Sequence, residues 1–285
     1  MSAIPTVTLP DGSTVPALGQ GTWFMGERAE HAGAEIRALQ LGVDLGMTLI
    51  DTAEMYADGG AESVVGKAIA GRRDEVFLVS KVYPHRAGLR QAASACEASL
   101  RRLGTDRLDL YLLHWPGRIP LAETIEAMQR LQRDGKILRW GVSNFDAALL
   151  EDLMREPGGR GCAVNQVLYH LASRGIEYDL LPLMRGAGMP AMAYCPLAQG
   201  GRLSKGMLGH PALREVAARH GATPAQVALA WTLRGGDVIA IPKAVSPEHV
   251  RQNAAAGGLA LDEADLATLD RAFAPPTHAV PLDIV

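Results

Sequence analysis

Gly19-Gln20-Gly21-Thr22-Trp23-Phe24-Met25-Gly26 decides between the two folds open to this chain. It begins at the end of the first short apolar run, residues 17–19. A dinucleotide-binding, doubly wound sheet carries Gly-x-Gly-x-x-Gly at that point, because the backbone must turn tightly and approach a pyrophosphate. Here the third glycine is absent, and Met25-Gly26 follows where a helix should start. The open sheet loses its main signature.

Working outward, apolar runs of strand length recur at 17–19, 48–51, 76–81, 108–114, 138–142, 163–166, 191–194 and 238–241. Between and after them lie amphipathic stretches at 31–45, 61–70, 88–103, 120–134, 146–156, 176–187, 224–234 and 247–256. Their apolar residues recur at helical spacing: Ala93, Cys96, Leu100 and Leu103 share one face. Eight βα units without a linker or composition break predict one domain over residues 1–285, an α/β fold of the (β/α)8 TIM-barrel type. An N-terminal β-hairpin is expected over 7–15, around the Asp11-Gly12 turn. Two helices exceed the eightfold plan, at about 211–220 and at 262–272, the latter opened by an Asp262 cap. The Pro-rich tail from Ala274 is expected to lie extended over the surface.

Composition narrows the partners. The 285 residues carry 28 Lys and Arg against 31 Asp and Glu, a net charge of −3. There is no basic excess to neutralise phosphates, so no nucleic-acid partner is expected. Met1-Ser2-Ala3-Ile4-Pro5 lacks a basic flank and an apolar core, so it does not read as a signal peptide. No apolar run approaches the roughly 18 residues of a membrane span. Cys96, Cys162 and Cys195 are odd in number and widely spaced, as expected of reduced thiols in a cytoplasmic protein. No His, Glu or Cys pair has metal-ligand spacing, so no metal is expected. Gly60 to Gly66-Lys67 fails as a phosphate loop, having one residue too many and Ala68 in place of a hydroxyl.

In such a barrel, catalytic groups come from the C-terminal ends of strands. Those ends here offer Gly21-Thr22-Trp23, Asp51 with Tyr56 close behind, Lys81, His114-Trp115, Ser143-Asn144, Asn165-Gln166, Tyr194 and Pro242-Lys243. Singly, each has a bland reading: Asp51 as a helix cap, Lys81 as a solvated charge, His114 as a core histidine, Tyr56 as packing. Together, Asp, Tyr, Lys and His at the mouths of successive strands converge on one spot. That convergence is the functional signal.

These residues carry a resemblance. Leu49-Ile50-Asp51-Thr52-Ala53-Glu54-Met55-Tyr56 with Glu62 and Gly66, Ser80-Lys81-Val82, and Asp109-Leu110-Tyr111-Leu112-Leu113-His114-Trp115 are similar to blocks of the aldo-keto reductase family. So are Gly141-Val142-Ser143-Asn144-Phe145, Asn165-Gln166 and Ile241-Pro242-Lys243-Ala244-Val245-Ser246-Pro247-Glu248, in that order over nearly the whole chain. The resemblance, to members with a short C-terminal tail, implies an NADPH-dependent oxidoreductase that reduces aldehydes and ketones. Its catalytic tetrad would be Asp51, Tyr56, Lys81 and His114. Tyr56 would give the proton that the alkoxide needs, Lys81 would lower the phenol pKa, and Asp51 would keep Lys81 charged. His114 would orient the carbonyl, with Trp23 and Trp115 lining the substrate pocket.

For the cofactor, the resemblance implies Tyr194 stacked on the nicotinamide, with Pro196 and Leu197 beside it. Ser143, Asn144 and Gln166 would hold the carboxamide, and Gly21 and Thr22 would lie near. Lys243, Ala244, Ser246, His249, Gln252 and Asn253 would meet the adenosine phosphate. His249 stands where many members have arginine, and imidazole cannot grip a phosphate bidentately as guanidinium does. Ala244 lacks a common hydroxyl, and Cys195 replaces a common serine. A narrower preference for NADPH, with some use of NADH, is therefore expected. The shorter tail implies a more open mouth, and family habit implies a monomer. Two other readings remain at this level: a Schiff-base aldolase using Lys81, and a cofactor-binding accessory subunit without catalysis.

Overall fold

The computed structural model describes residues 4–198 and 206–285. Strands β1 (Thr6–Thr8) and β2 (Thr14–Pro16) form the antiparallel hairpin, with Val7 opposite Val15. Its Val7, Leu9, Val15 and Ala17 pack in one cluster with Leu49, Leu110 and Ile239 from the barrel interior. The hairpin thus plugs the N-terminal mouth.

The barrel strands are β3 (Gln20–Gly21), β4 (Leu49–Asp51), β5 (Phe77–Val82), β6 (Leu110–Leu113), β7 (Trp140–Ser143), β8 (Cys162–Leu168), β9 (Ala191–Tyr194) and β10 (Val238–Ala240). They are parallel and hydrogen-bonded in chain order. The ring closes where the Gly19 N–H donates to the Ala240 carbonyl at 2.9 Å and the Ala240 N–H to the Ala17 carbonyl at 2.8 Å. A Cβ on Gly21 would lie 2.7 Å from the Ile241 carbonyl oxygen, so this seam requires glycine. Residues 17–19, expected as the first strand, thus serve the seam, and the strand itself begins one residue later.

Helices α1 (Ala32–Asp44), α2 (Gly60–Ala68), α3 (Ala92–Leu103), α4 (Leu121–Arg133), α5 (Ala147–Arg155) and α6 (Leu180–Gly186) follow β3 to β8 in turn. The extra helix α7 (Pro211–Arg219) precedes α8 (Pro224–Leu233), and α9 (Pro247–Ala256) precedes the second extra helix, α10 (Glu263–Ala272). Asp262 caps α10 by accepting from the Asp265 N–H at 2.8 Å. The helix expected over 176–187 begins only at Leu180, after a 3-10 turn at Gly175–Glu177 and an Asp179 cap.

Strand alternation sorts the side chains into two cores. On β5, Phe77 and Val79 point into the barrel, while Leu78 and Val82 face the helices. The same parity aims Lys81 inward. On β6, Leu110 and Leu112 point in and Tyr111 and Leu113 out, so His114 continues the inward row. Among the described residues no helix is long and apolar enough to cross a membrane.

Candidate active site

Lys81 is fully buried at the C-terminal end of β5, and only hydrogen bonding makes that tolerable. Its Nζ donates to Asp51 Oδ2 at 2.7 Å, to the Thr52 carbonyl at 2.9 Å and to the Tyr56 hydroxyl at 3.0 Å. Those three acceptors use the three hydrogens of an ammonium. A Schiff-base nucleophile needs a free lone pair, so this arrangement counts against the aldolase reading. Burial holds the Lys81 pKa below its ordinary value, and the charge and hydrogen bond of Asp51 offset that only in part.

Tyr56 departs from the sequence expectation in one respect. Burial, and then the Asp51 charge, push its phenol well above 10, where Lys81 was expected to lower it. Burial foremost keeps the proton on the phenol at neutral pH, as a proton donor requires. Its ring meets His114 edge-on, with centroids 5.7 Å apart. Burial, and then the Lys81 charge, push His114 down to about 2, which keeps the imidazole neutral. Its Nδ1 is buried without a hydrogen-bond partner.

The loops at this mouth are held in costly conformations. Among the described residues, the non-glycine residues with positive φ are Phe24, Ala57, Asp58, Asn144, Cys195 and Ala198, all in loops that follow barrel strands. A left-handed non-glycine residue costs on the order of 1 kcal/mol. Ala57, Asp58 and Gly59 are consecutive, directly after Tyr56. This tight left-handed turn lets α2 start within four residues of the phenol.

A cavity of about 110 Å³ lies above the tetrad. Trp23, Tyr56, His114, Trp115, Ser143, Asn144, Gln166 and Tyr194 line it, together with Met55 and Val285. The last two were not anticipated from sequence. Met55 adjoins Tyr56 and could have been inferred, but Val285 is remote in the chain and carried no signal. The tail lies extended and mostly exposed over the surface, as expected, but its half-exposed Val285 reaches the rim of this pocket. Around the cavity, the Tyr194 hydroxyl donates to Asn144 Oδ1 at 2.9 Å, and the Ser143 Oγ to the Gln166 carbonyl at 2.9 Å.

Two expected cofactor contacts serve the tetrad here. Thr22 is fully buried, with its hydroxyl donating to the Asp51 carbonyl at 3.0 Å. Gln166 donates its side-chain amide to Asp51 Oδ1 at 2.8 Å. A second cavity, about 260 Å³, is lined by Leu197, Lys243, His249, Gln252 and Asn253 with Thr223, Pro224, Ala225 and Leu208. One ammonium, one imidazole and two amides around one hollow form a donor set that fits an adenosine phosphate. Ser246 caps α9, accepting from the His249 N–H at 3.3 Å. Pro196 and Ala244 are not among the lining residues of either cavity. Cys195 is buried and its thiol is pushed up to about 11 by burial, as expected of an inert thiol.

Known proteins resemble this chain over nearly its whole length. Residues 17–274 match the model of the Aldo/keto reductase family. The chain is 57% identical over 272 residues to methylglyoxal reductase YeaE of Escherichia coli (strain K12), covering 95% of this chain and 96% of that one. It is 33% identical over 265 residues to glyoxal reductase of Bacillus subtilis (strain 168), covering 93% and 91%. A crystal structure of an aldo/keto reductase from Klebsiella pneumoniae in complex with NADP and acetate superposes with a TM-score of 0.97 at 57% identity, covering 99% of each chain. The chain is an oxidoreductase that belongs to the aldo/keto reductase family.

Proposed function

We propose that this enzyme reduces small aldehydes and ketones to alcohols with NADPH, with 2-oxoaldehydes such as methylglyoxal as the favoured class. The observation that carries the reading is the buried chain Asp51–Lys81–Tyr56, with links of 2.7 and 3.0 Å, ending at a small cavity. The resemblance to methylglyoxal and glyoxal reductases supports the substrate class. The solved relative that holds NADP supports the cofactor.

When bound, NADPH supplies the hydride; the chain supplies the rest. His114, neutral and walling the cavity, orients the carbonyl oxygen toward Tyr56. As negative charge develops on that oxygen, Tyr56 transfers its phenolic proton to it, giving the alcohol. Lys81 Nζ, 3.0 Å from the phenol oxygen, stabilises the phenolate left behind. Solvent returns the proton. The two tryptophans Trp23 and Trp115 keep the pocket apolar.

Lys243, with His249, would hold the 2′-phosphate, and Gln252 and Asn253 the adenine edge. Tyr194, tied to Asn144, would present its ring to the nicotinamide. We place all of this in one barrel domain of a cytoplasmic monomer. The test is NADPH oxidation by the purified protein against a panel of 2-oxoaldehydes, simple aldehydes, ketones and sugars. Turnover that is highest with 2-oxoaldehydes is expected. No turnover with any carbonyl, despite NADPH binding, would overturn the reading in favour of an accessory subunit.

A further inference from the structure

Ser173 and Arg174, neighbours on the loop after β8, hold both ends of the terminal segment. Arg174 Nη1 donates to Asp270 Oδ1 at 2.7 Å and to the Phe273 carbonyl at 2.5 Å, fixing the end of α10. Ten residues after Phe273, Asp283 Oδ2 accepts from the Ser173 hydroxyl at 2.6 Å. Both anchors are buried, although Asp283 itself lies at the surface. Between the two ends, Val280 lies against Gly175, where a Cβ would come within 2.6 Å of its Cγ2. Two residues past Asp283, the half-exposed Val285 lines the same cavity as Tyr56 and His114. The Val285 N–H and the Asp283 carboxylate both lie in the electrostatic surroundings of the Tyr194 phenol.

We propose that Asp283 is a positioning residue that sets substrate size. Its hydrogen bond to Ser173 clips the terminal segment so that Val285 fills the outer part of the carbonyl pocket. The clip rests on the carbonyl-reductase reading of that pocket. With it closed, the cavity admits a carbonyl bearing a hydrogen or a methyl group, and a flat ring in place of the methyl meets Val285. With it open, the wall on that side is lost. Asp283 touches neither Tyr56 nor Lys81 by hydrogen bond or ion pair, so opening the clip changes admission rather than proton transfer.

The experiment compares methylglyoxal with phenylglyoxal, which share the reacting group and differ in bulk. kcat and KM for both are measured with NADPH for the parent, Asp283→Ala, Ser173→Ala and the double variant. Amide hydrogen exchange over 280–285 and the NADPH Kd are measured alongside. Losing the contact should raise phenylglyoxal relative to methylglyoxal about fivefold in kcat/KM, mainly through KM. The double variant should go no further than either single one, because both remove one bond. Exchange at 282–285 should quicken, and the NADPH Kd should stay fixed. Val285→Ala, which alters neither anchor, should favour phenylglyoxal in the same sense. An unchanged ratio in all these variants, or equal losses for both aldehydes, overturns the proposal. If the parent reduces neither aldehyde, the substrate reading fails, and with it the size filter. Exchange at 282–285 then still tells whether the clip itself exists.

Discussion

Gln166 on β8 donates its side-chain amide to Asp51 on β4, at 2.8 Å, across the full width of the barrel. Asp51 therefore has both oxygens engaged: Oδ1 by Gln166 and Oδ2 by Lys81. A buried carboxylate without such partners would be costly to ionise, and Lys81 would lose the charge that keeps it protonated.

Gln166→Met removes that donor while keeping its approximate volume. An unsatisfied buried oxygen costs about 1–3 kcal/mol. If the cost falls on the charged Asp51–Lys81 pair, kcat should drop on the order of tenfold and the pH profile of activity should move. A weaker NADPH Kd with an unmoved pH profile would show instead that Gln166 acts only on the cofactor.

Tyr56→Phe keeps the ring packed against His114 and deletes the proton donor. Turnover should fall on the order of a hundredfold or more, with the NADPH Kd little changed. Lys81→Met leaves the Asp51 charge uncompensated beside the phenol, so the titration of the activity should move to higher pH, and Asp51→Asn should have a smaller effect. Near-normal kcat in the Tyr56→Phe enzyme would assign the proton to another group.

Cofactor choice should depend on the cavity lined by Lys243 and His249. A charge-assisted contact is worth roughly 1.5–3 kcal/mol, so Lys243→Ala should weaken NADPH about ten- to a hundredfold. NADH, which has no 2′-phosphate, should lose far less. His249→Arg should widen the preference for NADPH by supplying a bidentate donor. Fluorescence quenching with both cofactors reads out the two ratios. A large NADPH preference that survives Lys243→Ala would place the phosphate elsewhere.

Acid should destabilise the fold through two buried, neutral histidines. Burial pushes His114 down to about 2, and burial, against an opposing Asp283 charge, pushes His170 down to about 4. Both pKa values lie below the unfolded value near 6.5, so the unfolded chain binds more protons as pH falls. The stability they contribute is complete above that value and is lost as pH falls from about 6.5 toward 4 for His170, and further for His114. By pH 5 the loss should approach about 2 kcal/mol per histidine. Thermal midpoints measured from pH 7 to 5 test this, with His170→Asn expected to flatten the slope. An equally steep slope in that variant would shift the cause to other groups.

The barrel, and the gathering of Asp51, Lys81 and His114 inside it, were legible in the chain for a local reason. Period-two alternation fixes which strand residues point inward, and that parity alone places Asp51, Lys81 and His114 in one interior. The extra helices were legible from an Asp262 cap and from apolar spacing that fits within a single element. The contacts of Thr22 and Gln166 could not be read from the chain, because their partner Asp51 lies on another strand and, for Gln166, on the opposite wall. Only the tertiary structure decided that Tyr56 keeps a raised pKa, which depends on how deeply the phenol is buried and how near the Asp51 charge lies rather than on which residues are present. The tail was the least legible part. Proline-rich composition gives its extended backbone, but its path is set by hydrogen bonds from Ser173 and Arg174, about a hundred residues earlier in sequence.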